Sequence, residues 1–225
     1  MNQPPLNPII INPDAARPQY AIIWMHGLGA NAQDFITLPM ELNLPRTLKF
    51  RFILTNAPLR AVTINQGMHM PAWFDIKSLT DLDNEDTVGI HESQAKVQQV
   101  IETQIADGSQ SQHIFLGGFS QGAATALFTG LQYKAQLAGI IALSGYIPLT
   151  DSIQKQGNAT YNTQLPIFIG HGALDSVVPI VLAKRSQAIL HNLGYPVSYH
   201  AYNAAHQVPP EEWRDLRQWI IKQTR

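Results

Sequence analysis

Residues 113–128 leave the backbone few options. An apolar run, His113-Ile114-Phe115-Leu116, leads into Gly118-Phe119-Ser120-Gln121-Gly122, and a small-residue stretch, Ala123-Ala124-Thr125-Ala126-Leu127-Phe128, follows. A buried strand, a serine between two glycines and then a helix is the context of a nucleophile elbow. The turn is strained and tolerates only small neighbours, because a Cβ at either glycine would strike the adjacent strand or helix. The hydroxyl then projects beyond the sheet, and the backbone N–H groups after it point at the same space.

The rest of the chain supplies the sheet this elbow requires. Tyr20–Met25, Phe50–Leu54, Leu137–Leu143 and Leu165–Ile169 read as buried strands, and Pro196–Tyr202 alternates like another. Helical patterns cover Asn31–Leu42, Gly89–Ile105, Val177–Leu193 and Pro209–Ile221, with Asp107-Gly108 and Gly194 as stops. The first 18 residues, rich in Pro and Asn, suit an arm or an edge strand. Strands alternating with helices predict an α/β fold with a mostly parallel twisted sheet covered on both faces. At 225 residues, without a repeat or an interdomain linker, the chain reads as a single domain over 1–225. Residues 60–88, which hold Gly67, Pro71 and the acidic run Asp81–Asp86, show no clean periodicity; they read as a short lid or a surface excursion.

A formal net charge of −1 and the lack of any basic block exclude electrostatic capture of nucleic acid or an anionic membrane. No apolar run approaches the roughly 20 residues needed to span a bilayer. The N-terminus lacks the basic and apolar segments of a secretory signal, so a cytoplasmic setting is expected. With no cysteine, a thiol nucleophile is excluded. The histidines are scattered and H-E-x-x-H is absent, so no metal is expected.

A serine hydroxyl needs a general base, and the base needs an orienting carboxylate. In the α/β-hydrolase arrangement these follow the serine as Asp or Glu, then His. Asp151 reads as a helix cap, and Glu211, Glu212 and Asp215 lie in the last helix. Asp175 instead follows a strand through Gly170-His171-Gly172-Ala173-Leu174, at the sheet's carboxyl edge. Beyond it, His191 suits a helix C-terminus and His200 lies within a strand, whereas His206 is on a loop free to reach Ser120. His26 and His171, each before a glycine at a strand end, read as turn braces. The oxyanion donors expected are the backbone N–H groups of Gln121 and, from His26-Gly27-Leu28-Gly29, of Leu28.

His26-Gly27-Leu28-Gly29, Pro71-Ala72-Trp73-Phe74-Asp75, the elbow, Leu143-Ser144-Gly145-Tyr146-Ile147-Pro148 and His171–Pro179 occur in order. With them the chain resembles the acyl-protein thioesterase, lysophospholipase and small carboxylesterase family from about residue 20 onward. The resemblance implies an α/β-hydrolase with a short lid, no cofactor, and hydrolysis of short- to medium-chain acyl esters and thioesters. It implies an acylated protein or lysophospholipid as further substrates and a modest homodimer. Met68, Trp73, Leu79 and Tyr146 are candidates for an apolar acyl groove; animal thioesterases of the group have tryptophan where this chain has Tyr146. Two rivals are a serine peptidase on the same fold and a hydrolase fold kept for binding without turnover.

Overall fold

The apolar runs become neighbouring strands because each carries side chains that need covering on both faces. A computed structural model describes residues 6–12, 18–79, 84–156 and 164–224. In chain order its strands are β1 (Ile9–Ile11), β2 (Tyr20–Met25), β3 (Phe50–Thr55), β4 (Leu59–Val62), β5 (Met68–Pro71), β6 (Ile114–Phe119), β7 (Gly139–Leu143), β8 (Ile167–Gly172) and β9 (Val197–Tyr202). Seven form one sheet in the order β1-β3-β2-β6-β7-β8-β9. Every pairing in it is parallel except that of β1, which runs antiparallel to β3 at the edge.

The helices are α1 (Leu38–Leu42), α2 (Thr87–Ala106), α3 (Gln121–Gln132), α4 (Thr150–Gln156), α5 (Ile180–Asn192) and α6 (Pro210–Gln223). The period of two in each strand sorts the core into two layers. Ile23, Ile53, Leu116, Ile140 and Ile169 pack toward Val97 and Ile101 of α2, Leu127 of α3 and Leu190 of α5. Ile22, Trp24, Phe52, Phe115 and Phe168 pack on the other face with Leu38 and Leu42 of α1 and Leu216 and Ile220 of α6. The α/β-hydrolase architecture anticipated for this chain is therefore the one it adopts.

Three expectations change. The pattern over 31–42 splits into a 3₁₀ turn, Ala32–Phe35, and α1, because Pro39 cannot donate to an earlier carbonyl and opens a new helix instead. Residues 60–88 are not merely irregular: β4 and β5 pair as an antiparallel hairpin, Leu59 opposite Pro71 and Val62 opposite Met68. Part of the acidic run, residues 81–83, lies outside the described residues. Asp151 does not cap its helix but sits in the first turn of α4. Among the described residues no helix is long and apolar enough to cross a membrane.

Candidate active site

The turn between β6 and α3 puts Ser120 at φ 56°, ψ −121°. Its N–H donates to Leu143 O of β7 at 2.8 Å, which fixes the corner to the neighbouring strand. The flanking glycines are there for space. A Cβ at Gly122 would lie 2.1 Å from Met25 O, and one at Gly118 would lie 2.4 Å from the Gly122 carbonyl carbon. Helix α3 can approach β2 this closely only without those carbons.

Asp175 and His206 come from the turns after β8 and β9. Ala173 N–H donates to Tyr202 O at 2.7 Å and Leu174 N–H to Ala204 O at 3.0 Å, which ties the two turns together. The Asp175 side chain is fully shielded from solvent, whereas that of His206 is 17% exposed. Asp175 Oδ1 accepts the N–H groups of Val177 and Val178 at 2.9 and 2.8 Å. Its Oδ2 accepts His206 Nδ1–H at 2.6 Å. The other ring nitrogen, Nε2, is 3.0 Å from Ser120 Oγ. With the Nδ1 proton committed to the carboxylate, the Nε2 lone pair faces the hydroxyl. Ser120, His206 and Asp175 thus form one hydrogen-bonded line.

Other histidines take structural positions. His26 Nδ1–H donates to Gly27 O, and its Nε2 accepts Ala57 N–H. His171 Nε2–H donates to Val178 O at 2.8 Å. Burial pushes the pKa of both rings down, so they hold these turns as neutral imidazoles. His191 occupies the last turn of α5, and His200 stacks on Phe168. Phe119, unremarked in the sequence, packs its ring 4.7 Å from that of His206 and walls the imidazole on one side.

Leu28 sits in the loop after β2, and Gln121 is the first residue of α3. Both are at the same carboxyl edge of the sheet as Ser120. The first amide of a helix has no intrahelical acceptor, so Gln121 N–H is left for another partner. The next amide after Leu28 is already spent: Gly29 N–H donates to Pro71 O at 2.9 Å. Among the described residues no group of His, Asp and Glu is arranged to hold a metal ion.

Two of the four candidates for an acyl groove lie in the core. Trp73 is completely buried and donates its indole N–H to His26 O at 2.8 Å. Tyr146 is buried too, and burial beside Glu85 raises its phenol pKa. Leu79 is half-buried against the core, while Met68 is exposed on the hairpin. Large apolar side chains next to a turn serve a core as well as a groove, and here the core takes two of the four. Leu174 and Val177, which flank Asp175 in the chain, hold their apolar side chains open to solvent.

Sheet order and site define an α/β-hydrolase. The chain belongs to the phospholipase/carboxylesterase family, whose model matches residues 6–224. It is 35% identical over 221 residues to acyl-protein thioesterase 1 of Yarrowia lipolytica, covering 96% of this chain and 97% of the relative. It is 37% identical over 187 residues to the Schizosaccharomyces pombe protein of the same name, covering 83% and 82%. The crystal structure of Zea mays acyl-protein thioesterase 2 superposes with a TM-score of 0.83 at 28% identity, covering 96% of this chain and 98% of that one. Arabidopsis thaliana SOBER1 gives a TM-score of 0.84 at 26% identity, covering 92% and 99%.

Proposed function

We propose that this protein hydrolyses carboxylic esters and thioesters, including those of acylated proteins, through an acyl-enzyme on Ser120. The observation that carries the reading is the line of contacts from Ser120 Oγ to His206 Nε2 at 3.0 Å and from His206 Nδ1 to Asp175 Oδ2 at 2.6 Å. Ser120 Oγ attacks the acyl carbon while its proton passes to His206 Nε2. Shielded Asp175 holds the ring tautomer and stabilises the imidazolium. The N–H groups of Leu28 and Gln121 donate hydrogen bonds to the acyl oxygen as negative charge develops on it. Collapse of the tetrahedral adduct breaks the bond to the leaving alcohol or thiol, which takes the proton from His206. Water, deprotonated by the same ring, then attacks the acyl-serine; the bond from the acyl carbon to Ser120 Oγ breaks, the ring returns its proton to that oxygen, and the acid leaves.

Relatives named acyl-protein thioesterase favour a thioester substrate class. The exposed apolar side chains of Leu174, Val177 and Met68 suit contact with an acyl chain. The test is labelling by a fluorophosphonate together with turnover of a matched ester and thioester. Wild-type protein should label once and turn over both. Ser120→Ala should not label and should lose at least ~10⁴-fold in kcat. A folded Ser120→Ala protein with near-normal hydrolysis would remove the assignment.

A further inference from the structure

The two amides assigned to the oxyanion lie on separate elements, the loop after β2 and the start of α3. Parallel pairing of Met25 with Gly118 ends before either of them. Strand pairing therefore does not reach them, and beyond the packing of Gly122 on Met25 their spacing depends on other contacts, because a donor misplaced by a fraction of an ångström loses much of its effect on a developing charge.

One short segment, Pro71–Phe74, touches both elements. Pro71 O accepts Gly29 N–H at 2.9 Å, and the Trp73 indole donates to His26 O at 2.8 Å. These two bonds bracket Leu28, one on each side of its neighbouring peptides. On the α3 side, Trp73 N–H donates to Gln121 Oε1 at 2.9 Å, and Gln121 Nε2–H donates to Phe74 O at 2.6 Å. The Gln121 carboxamide thus pairs with the segment as another peptide would, with both its donor and its acceptor used. Ser93 of α2 donates its hydroxyl to Trp73 O and anchors the segment from behind. Trp73, Gln121 and Ser93 are all buried, so water does not compete for these bonds.

We infer that Trp73 and the side chain of Gln121 are positioning residues that hold the Leu28 and Gln121 amides at a fixed separation, an inference that rests on the acyl-enzyme reading above. Only a carboxamide meets both demands at position 121. A carboxylate of the same shape lacks the donor to Phe74 O, and an apolar side chain leaves both peptide groups without partners. Phenylalanine at position 73 keeps most of the packing and removes only the bond to His26 O.

The experiment compares wild type with Gln121→Glu, Gln121→Met and Trp73→Phe on an activated ester, with rates normalised to sites titrated to completion by a fluorophosphonate. Affinity for an alkyl boronic acid, whose tetrahedral serine adduct presents an oxyanion, is measured alongside. Each variant should lose about 10–100-fold in kcat per titrated site with KM little changed, and boronate affinity should fall in step with kcat. Gln121→Glu, which retains the acceptor, should lose less than Gln121→Met. If any folded variant keeps wild-type kcat per titrated site and boronate affinity while only its Tm falls, the clamp is structural and the inference is overturned. If Trp73→Phe fails to fold, the two Gln121 variants decide the question alone. Wild-type protein that neither labels nor turns over would instead overturn the acyl-enzyme reading itself.

Discussion

Ser120 sits in a backbone conformation that glycine adopts freely and other residues avoid, at φ 56°, ψ −121°. Such strain costs on the order of 1–3 kcal/mol and persists only where the surroundings enforce it. Here the bond to Leu143 O on one side and the close approach of Gly122 to Met25 on the other do so. Ser120→Gly should relieve the strain at a cost of roughly 0.4–1 kcal/mol in unfolded-chain freedom. The net expectation is a gain of about 1 kcal/mol, or a Tm roughly 2–4 °C higher in a chain of this size, with hydrolysis lost. Calorimetry of the two proteins checks it, and a lower Tm in the variant would show that the elbow is not strained. That Ser120, Asp175 and His206 come together at one edge of the sheet is legible in the sequence, because chain order and loop placement leave few competitors. The position of Trp73 is not. An indole suits core and groove alike, and its partner, His26 O, lies 47 residues away with no local sign of the pairing.

Among the elements, the strands and long helices follow their periodicity, and the misreadings fall where tertiary partners decide. The hairpin β4–β5 has little alternation to read, because Leu59 and Met68 both face solvent and Gly67 breaks the pattern. Besides the bond from Gly29 N–H to Pro71 O, contacts at the start of α2 hold it to the body. Arg60 pairs with Glu92 at 2.8 Å, and Asp75 accepts Thr63 N–H at 2.7 Å. Asp86 is the junction: its Oδ1 caps α2 by accepting Gly89 N–H at 3.0 Å, and its Oδ2 accepts Asp75 N–H at 2.9 Å. Loss of a helix cap costs about 1 kcal/mol, and the second bond adds a similar amount. Asp86→Ala should therefore lower Tm by roughly 4–8 °C, with Asp86→Asn recovering part of the loss because its side chain still accepts. Thermal unfolding of the three proteins measures this. Equal Tm values for wild type and Asp86→Ala would mean that the junction contributes nothing.

Across the whole molecule, one residue outside the hydrogen-bonded line contributes strongly to the dependence of stability on pH. Glu212, in the first turn of α6, is completely buried, and neither carboxyl oxygen has a hydrogen-bond partner among the described residues. It presses on the backbone of β8: a Cβ on Gly170 would lie 2.1 Å from its Oε1. Burial, reinforced by the like charges of Glu211 and Asp215, raises its pKa from 4.5 to about 8. Between those values the folded protein holds a proton that the unfolded chain releases. The stabilisation is complete below pH 4.5 and is lost as pH rises through about 8. At ~1.4 kcal/mol per pKa unit, the span is worth a few kcal/mol. His26 and His171, depressed by burial, act in the opposite sense: their contribution is present above the unfolded value of 6.5 and is lost as pH falls. Glu212→Gln keeps the neutral shape and leaves the histidines unchanged, so the difference between the two proteins isolates the carboxyl. Urea unfolding at about pH 5, 7 and 9 should show wild type losing stability toward alkaline pH relative to the variant, by a few kcal/mol over the range. Parallel stability curves for the two proteins would mean that Glu212 is ionised in the folded state at neutral pH, with its charge compensated inside the core.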